Sequence, residues 1–346
     1  MQQMKAVRAV TAGGNKLMTE LREEPLPSPG QHEVLIRVHA VSLNYRDAVL
    51  LRGDFPVNSK EEVIPVSDGA GEVIAVGPGV KRVKPNDRVA VGCFTTWIGG
   101  PFIPEYFRTS AGFSIDGMLA EYVLFHEDAL VHIPDYMSYA EAASLPCAAV
   151  TAWTALNKIE PLQPGQTVLI QGTGGVSLFA LQIAKIYGAR VLAITSSDTK
   201  AARLKALGAD AVVNYNTSPD WDREILTLTD GKGVDRTLDI AGEKTIQKAA
   251  ACTKIGGVII LIGFASGLGG GIPPIDIMAR TLTLTGSIIG SRLDFEAMLA
   301  AMARHETRPV IDQVYSFAEY KEAYQILESG QQVGKVVIEV VNQTAD

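Results

Sequence analysis

Gly172-Thr173-Gly174-Gly175-Val176-Ser177 has the residue types and spacing of a turn that cradles phosphate. The apolar run 168–171 precedes it. After it, Val176, Phe179, Ala180, Ile183, Ala184 and Tyr187 recur at helical spacing, and Gly188 supplies a C-terminal cap. Glycine lets the backbone turn tightly and approach a pyrophosphate. The following helix offers free N–H groups and the positive end of its dipole to the anion. Ser177 stands where a third glycine is usual, and it is small enough to keep helix and strand in close contact. A plain strand–helix turn is the alternative. The strand and helix on either side favour a dinucleotide.

The next apolar strand, 191–195, ends in Thr195-Ser196-Ser197. An NAD site usually has a carboxylate there, to hold the ribose hydroxyls. Here hydroxyls, a helix start and then Lys200 form a better seat for the extra phosphate of NADP. NADP is therefore the expected cofactor, with NAD possible because Asp198 is close by. Ser197 as a helix cap and Lys200 as a solvated residue are the plainer readings.

The elements that must hold this turn alternate in type. Strands are expected at 211–213, 234–240, 258–262 and 281–285, with a helix at 198–207 capped by Gly208. Such alternation implies right-handed strand–helix–strand units and a parallel sheet. The first third of the chain reads differently. Val34, Ile36, Val38 and Ala40 alternate strictly, residues 72–76 and 88–91 are short strands, and Gly77-Pro78-Gly79 and Pro85-Asn86-Asp87 mark turns. That punctuation suggests a small β-barrel. Residues 97–117 form a long aperiodic loop rich in aromatics, either functional or a cover that packs its own rings. An Ala-rich helix broken at Pro146 spans 138–158, helices follow at 293–304 and 317–327, and Gly334 leads into a strand at 335–340.

With 346 residues, length predicts about two domains. A 47% hydrophobic and 20% charged composition supports packed cores and excludes a largely disordered chain. A net charge of −7 argues against a nucleic-acid partner. The three cysteines, Cys93, Cys147 and Cys252, form no CxxC pair, and none of the five histidines pairs at metal-ligand spacing. No apolar run approaches the roughly 20 residues that span a bilayer, and the start MQQMKAVRAV has charges where a signal peptide is apolar. The expectation is a cytoplasmic protein with neither membrane nor nucleic-acid partner.

Five motifs, Asn44-Tyr-Arg-Asp47, Ser67-Asp-Gly-Ala-Gly71, Leu145-Pro-Cys-Ala-Ala-Val-Thr-Ala-Trp153, Gly172–Ser177 as above, and Gly334-Lys335-Val336-Val337, span almost the whole chain. Together they resemble the medium-chain dehydrogenase/reductase superfamily, and within it the zinc-free quinone-reductase-like and alcohol-dehydrogenase-like branch. The resemblance implies an α/β fold: a Rossmann dinucleotide-binding domain at 131–305, and a GroES-like β-barrel catalytic domain built from 1–130 and 306–346. Zinc members of the superfamily hold their metal with Cys, His and a second Cys or Asp. Here Asn44 and Ser67 match the first two ligand positions, only Cys147 remains, and Arg46 matches the hydroxyl of the proton relay. No metal is expected, and Cys147 reads as a small buried hydrophobe.

By the same resemblance Asn44 and Tyr45 lie beside the nicotinamide as catalytic candidates. The Asn44 amide can steady a carbonyl or enolate oxygen, and Tyr45 can give a proton. A tyrosine found in some ene reductases at the position of Phe55 is lost, which leaves Tyr45 or water as the acid. Asp47 reads better as a helix cap or a partner of Arg46. The resemblance assigns Thr151, Tyr215, Ile262, Gly263, Phe264, Ile288, Ile289 and Lys335 to the cofactor. Phe55, Phe94, Trp97 and Ile98 are candidate walls of an apolar substrate site, or core. A homodimer through the edge strand 281–285 is the family default. The reading is an NADPH-dependent, zinc-independent reductase of an apolar quinone or α,β-unsaturated carbonyl. The alternatives are a zinc-free alcohol dehydrogenase or carbonyl reductase and, in another class, a non-catalytic NADPH-binding protein.

Overall fold

The computed structural model describes residues 2–54 and 62–341. By internal contact the chain divides into two units, Met1–Val150 with Gly290–Asp346, and Thr151–Ile289. This division falls at 150/151 and 289/290, whereas the domain bounds expected from the sequence are 130/131 and 305/306. Two sets of contacts account for this. The helix Tyr139–Ala143 packs on the strands Glu33–Leu43 and Asp68–Val76. The helix Arg292–Arg304 is tied at its start by Arg292, whose backbone N–H donates to the Trp97 carbonyl and whose guanidinium bonds Asp128.

In the first unit a seven-stranded sheet runs in the order Ile311–Ser316, Lys335–Glu339, Glu33–Leu43, Asp68–Val76, Arg88–Val91 and Leu130–His132, with Tyr122–His126 also paired to Glu33–Leu43. A long hairpin, Gln3–Gly13 with Lys16–Pro25, forms a second sheet together with the short strand Glu62–Val63. Strict alternation over 34–41 does not persist, because Leu35 and Val41 are buried along with Val34, Ile36, Val38 and Ala40. The register against Asp68–Val76 shifts between Leu35 and Ile36 and again between Val38 and Ala40. Each such shift moves the buried face by one residue. The core gathers Ile36, Val38, Leu43, Met118, Val336 and Ile338, with Ala323 and Tyr324 of the helix Tyr320–Ser329.

In the second unit six parallel strands lie in the order Ala211–Asn214, Arg190–Thr195, Thr167–Gln171, Val234–Asp239, Thr253–Leu261 and Thr283–Gly286. Helices cover both faces of a parallel sheet, so its strands are apolar throughout. Val168, Leu169 and Ile170 are accordingly all fully buried. No helix among the described residues is long and apolar enough to cross a membrane.

Candidate active site

The glycine turn sits where the central strand Thr167–Gln171 passes into the helix Gly175–Ile186. Gly172 holds φ +73°, a left-handed conformation that favours glycine. Gly174 is the N-cap, and a Cβ built on either glycine meets nothing within 4 Å. The helix N-terminus is therefore open beside both glycines, as close approach of an anion requires. Ser177 does more than fit: its Oγ donates to the Gln171 carbonyl at 2.6 Å and ties the helix to its strand.

At the end of the neighbouring strand Arg190–Thr195, Thr195 is buried and its Oγ1 has no hydrogen-bond partner among the described residues. Ser197 caps the helix Asp198–Ala206 by accepting from the Lys200 N–H at 3.3 Å. Asp198 accepts from the Asn214 side chain at 2.8 Å, and Asn216 donates to the Ser196 carbonyl at 2.7 Å. Tyr215 is partly exposed at the same strand ends. Ile262, Gly263, Phe264 and Ile288 are half-buried, while Thr151 and Ile289 are buried. The Thr154 hydroxyl donates to the Ile289 carbonyl and bridges the ends of the second unit's chain. The open glycines and the orphaned Thr195 hydroxyl fit a dinucleotide.

In the first unit, strand pairing builds a polar cluster. Val336 pairs with Leu43, Val337 with Ser42, and Ser42 with Asp68. Lys335, Asn44 and Asp68 thus meet at one end of the sheet. The Lys335 ammonium donates to the Leu43 carbonyl at 2.8 Å and to Asn44 Oδ1 at 2.5 Å, and lies 3.9 Å from Asp68. Asn44 Nδ2 is buried with no partner among the described residues, which ordinarily costs about 1–3 kcal/mol. Asp47 caps the helix Tyr45–Arg52 by accepting from the Asn44 N–H at 2.7 Å, as expected of a capping residue. Burial pushes the Asp47 carboxyl up to about 6, against the opposing pull of Arg46, the Asn44 N–H and Lys335.

Arg46 occupies the middle of a second cluster. Its guanidinium donates to Cys93 Sγ at 2.6 Å and to Ser110 Oγ at 2.7 Å, and its charge also acts on Cys147, Asp47 and Asp68. Burial pushes the Cys93 thiol up to about 11 and raises Cys147 as well. Asp68 accepts from Ser67 Oγ at 2.8 Å and from the Cys147 N–H at 3.0 Å. This donor set does not fit a tetrahedral Zn²⁺. Zinc needs several soft or anionic ligands held together, whereas among the described residues no three His, Cys, Asp or Glu side chains gather as ligands, and the Arg46 cation lies against Cys93. Cys93, Ser110 and Asp68 were not singled out from the sequence. Cys93 lies two residues beyond its strand and far from any motif, so only the fold reveals its partner.

The aromatic loop packs its own rings. Phe94, Trp97, Phe102, Tyr106 and Phe107 meet edge-to-face or stacked at 5.0–6.1 Å between centroids. Phe94 and Trp97 are buried in that cluster, whereas Ile98 is 39% exposed. Phe55 lies outside the described residues. Tyr45 is 45% exposed, with its hydroxyl 3.4 Å from an Arg52 nitrogen.

A doubly covered parallel sheet with an open glycine turn at a central strand, joined in one chain to a β-domain carrying buried amide, ammonium and guanidinium groups, defines a dinucleotide-dependent oxidoreductase. Two family models match: "Alcohol dehydrogenase GroES-like domain" over residues 30–135 and "Zinc-binding dehydrogenase" over residues 175–304. A zinc-type alcohol dehydrogenase-like protein of Schizosaccharomyces pombe is 37% identical over 337 residues, covering 95% of this chain and 96% of its own. A candidate alcohol dehydrogenase of Sinorhizobium meliloti 1021 superposes with a TM-score of 0.92 at 36% identity, over 98% of this chain and 99% of that one. A quinone oxidoreductase of Pseudomonas syringae pv. Tomato DC3000 gives 0.81 at 26% identity, over 97% and 100%. The chain belongs to the medium-chain dehydrogenase/reductase superfamily and is an NAD(P)-dependent oxidoreductase.

Proposed function

We propose that the protein is a zinc-independent, NADPH-preferring reductase of an apolar quinone or α,β-unsaturated carbonyl compound. The observation that carries this reading is the Arg46 guanidinium, bonded to Cys93 and acting on Cys147, the one cysteine that the resemblance leaves at a zinc-ligand position. A fixed organic cation there supplies positive potential without an exchangeable metal.

A bound reduced nicotinamide supplies hydride from its C4. Asn44 donates its buried amide N–H to the oxygen on which negative charge collects. Tyr45, exposed beside Arg52, or a water returns the proton. A quinone asks least of such an acid, because its reduced form is a stabilised anion. The NADP preference is supported by Ser196, Ser197 and Lys200, and by the Asn214 side chain that holds Asp198. Thr283–Gly286 is the outer strand of its sheet, which supports a homodimer across that edge. A cytoplasmic location goes with this reading.

A second reading, carbonyl–alcohol interconversion without zinc, is favoured by the names of the similar alcohol dehydrogenases. One incubation separates the two. Chelator-treated protein receives NADPH and an α,β-unsaturated aldehyde, and the product is identified by mass spectrometry and NMR. The saturated aldehyde is expected. An allylic alcohol would favour the second reading, and activity that returns only with added zinc would overturn both.

A further inference from the structure

We infer that Lys335 is a positioning residue that fixes the Asn44 carboxamide as a one-way hydrogen-bond donor, reserving Nδ2 for the carbonyl oxygen of the substrate. This rests on the function proposed above and adds a second residue to its site.

An ammonium has three N–H donors and no acceptor, so the amide atom facing it at 2.5 Å is the oxygen. The amide cannot flip without setting two donors against each other. Its nitrogen is therefore directed away from Lys335, buried and unpartnered among the described residues. The bond also polarises the amide: a cation on Oδ1 makes the N–H a stronger donor. Lys335 itself is 3% exposed and spends two donors on Leu43 and Asn44, with Asp68 at 3.9 Å. Those groups account for its charge without a cofactor phosphate.

Backbone geometry delivers the pair. Antiparallel pairing of Val336 with Leu43 sets Lys335 beside Asn44, 291 residues away. Gly334 makes the approach possible. It holds φ +105°, and a Cβ there would lie 2.2 Å from the Val310 carbonyl oxygen, while the Lys335 N–H donates to that same oxygen at 2.9 Å.

The test compares Lys335→Met, Asn44→Asp and the double variant. Asn44→Asp keeps an acceptor for Lys335 but has no N–H. Lys335→Gln, which still offers an N–H to Asn44, serves if Lys335→Met does not fold, and should lie between Lys335→Met and the unaltered protein. Expected is a loss of roughly 100-fold in kcat for each single variant, with the NADPH Kd, read by fluorescence, within about twofold. The double variant should be no slower than Asn44→Asp alone. On the unloaded protein, the Asn44 side-chain amide signals, identified by their loss in Asn44→Asp, should move in Lys335→Met. An NADPH Kd weakened about tenfold or more with those signals unmoved would make Lys335 a cofactor ligand and overturn the inference, as would multiplicative losses in the double variant. If the unaltered protein reduced no carbonyl compound, the function would fall, and the amide signals would still decide the role of Lys335.

Discussion

The Arg46 guanidinium donates to the Cys93 sulfur at 2.6 Å, so a fixed positive charge lies against a thiol that burial keeps protonated. A Zn²⁺ ion beside Cys93 would have to displace that cation, and no group of three His, Cys, Asp or Glu side chains among the described residues stands ready to hold it. Protein purified without a metal-binding tag should therefore hold far less than one zinc per chain, and chelation should leave turnover unchanged. Elemental analysis before and after dialysis against a chelator makes the measurement. One tightly held zinc per chain would refute this account of Arg46.

Asp47 should make stability depend on pH in an unusual direction. Its folded value, about 6, lies above the ordinary 3.8. The folded state then binds the proton more tightly than the unfolded chain. Its contribution is full below about pH 4, declines as pH rises to about 6, and is flat beyond. Asp47→Asn keeps an acceptor for the helix cap but does not titrate. Relative to the unaltered protein, the variant should gain about 3 kcal/mol between pH 4 and 7. Urea unfolding across that range tests it, and an unchanged difference would mean that folding does not raise the Asp47 carboxyl.

Gly174 separates folding from cofactor binding. Its φ is −72° and a Cβ meets no protein atom, so Gly174→Ala should fold and lose no more than about 1 kcal/mol as a poorer helix cap. The added methyl would project into the space assigned to the pyrophosphate. NADPH binding should weaken roughly tenfold or more. Calorimetry of unfolding and of binding on one preparation gives both numbers, and unaltered affinity would remove Gly174 from the phosphate site.

The cofactor preference has two handles. Lys200→Ala should raise KM for NADPH roughly tenfold and leave NADH little changed. Asn214→Ala should release Asp198 from its 2.8 Å bond and make it available to ribose hydroxyls, improving NADH use. Steady-state kinetics with both nucleotides would show this. Equal losses with NADH and NADPH for Lys200→Ala would argue against a phosphate contact.

Much of the second unit was legible in sequence because its signals are local. A buried parallel strand is an apolar run, a phosphate turn is a glycine cluster, and a helix end is a glycine after the last apolar position. The strands expected at 191–195, 234–240 and 281–285 recur within a few residues as Arg190–Thr195, Val234–Asp239 and Thr283–Gly286. The first unit was harder. The hairpin Gln3–Gly13 with Lys16–Pro25 and the strand Ile311–Ser316 went unread, because half-exposed strands rich in charge carry a weak apolar pattern. The resemblance, motif by motif, supplied what periodicity could not.

The residue types themselves determined that a glycine turn between strand and helix could seat a dinucleotide, and the resemblance implied that Asn44, Ser67 and Arg46 stand where zinc relatives have two ligands and a proton-relay hydroxyl. Only the tertiary structure decided what those replacements touch. Asn44 meets Lys335 because two strands 291 residues apart pair in one register, and Arg46 meets Cys93 because a helix start and a strand end converge. Such contacts leave no local trace: a hydrogen bond depends on distance in space, and the chain between its partners is free to vary.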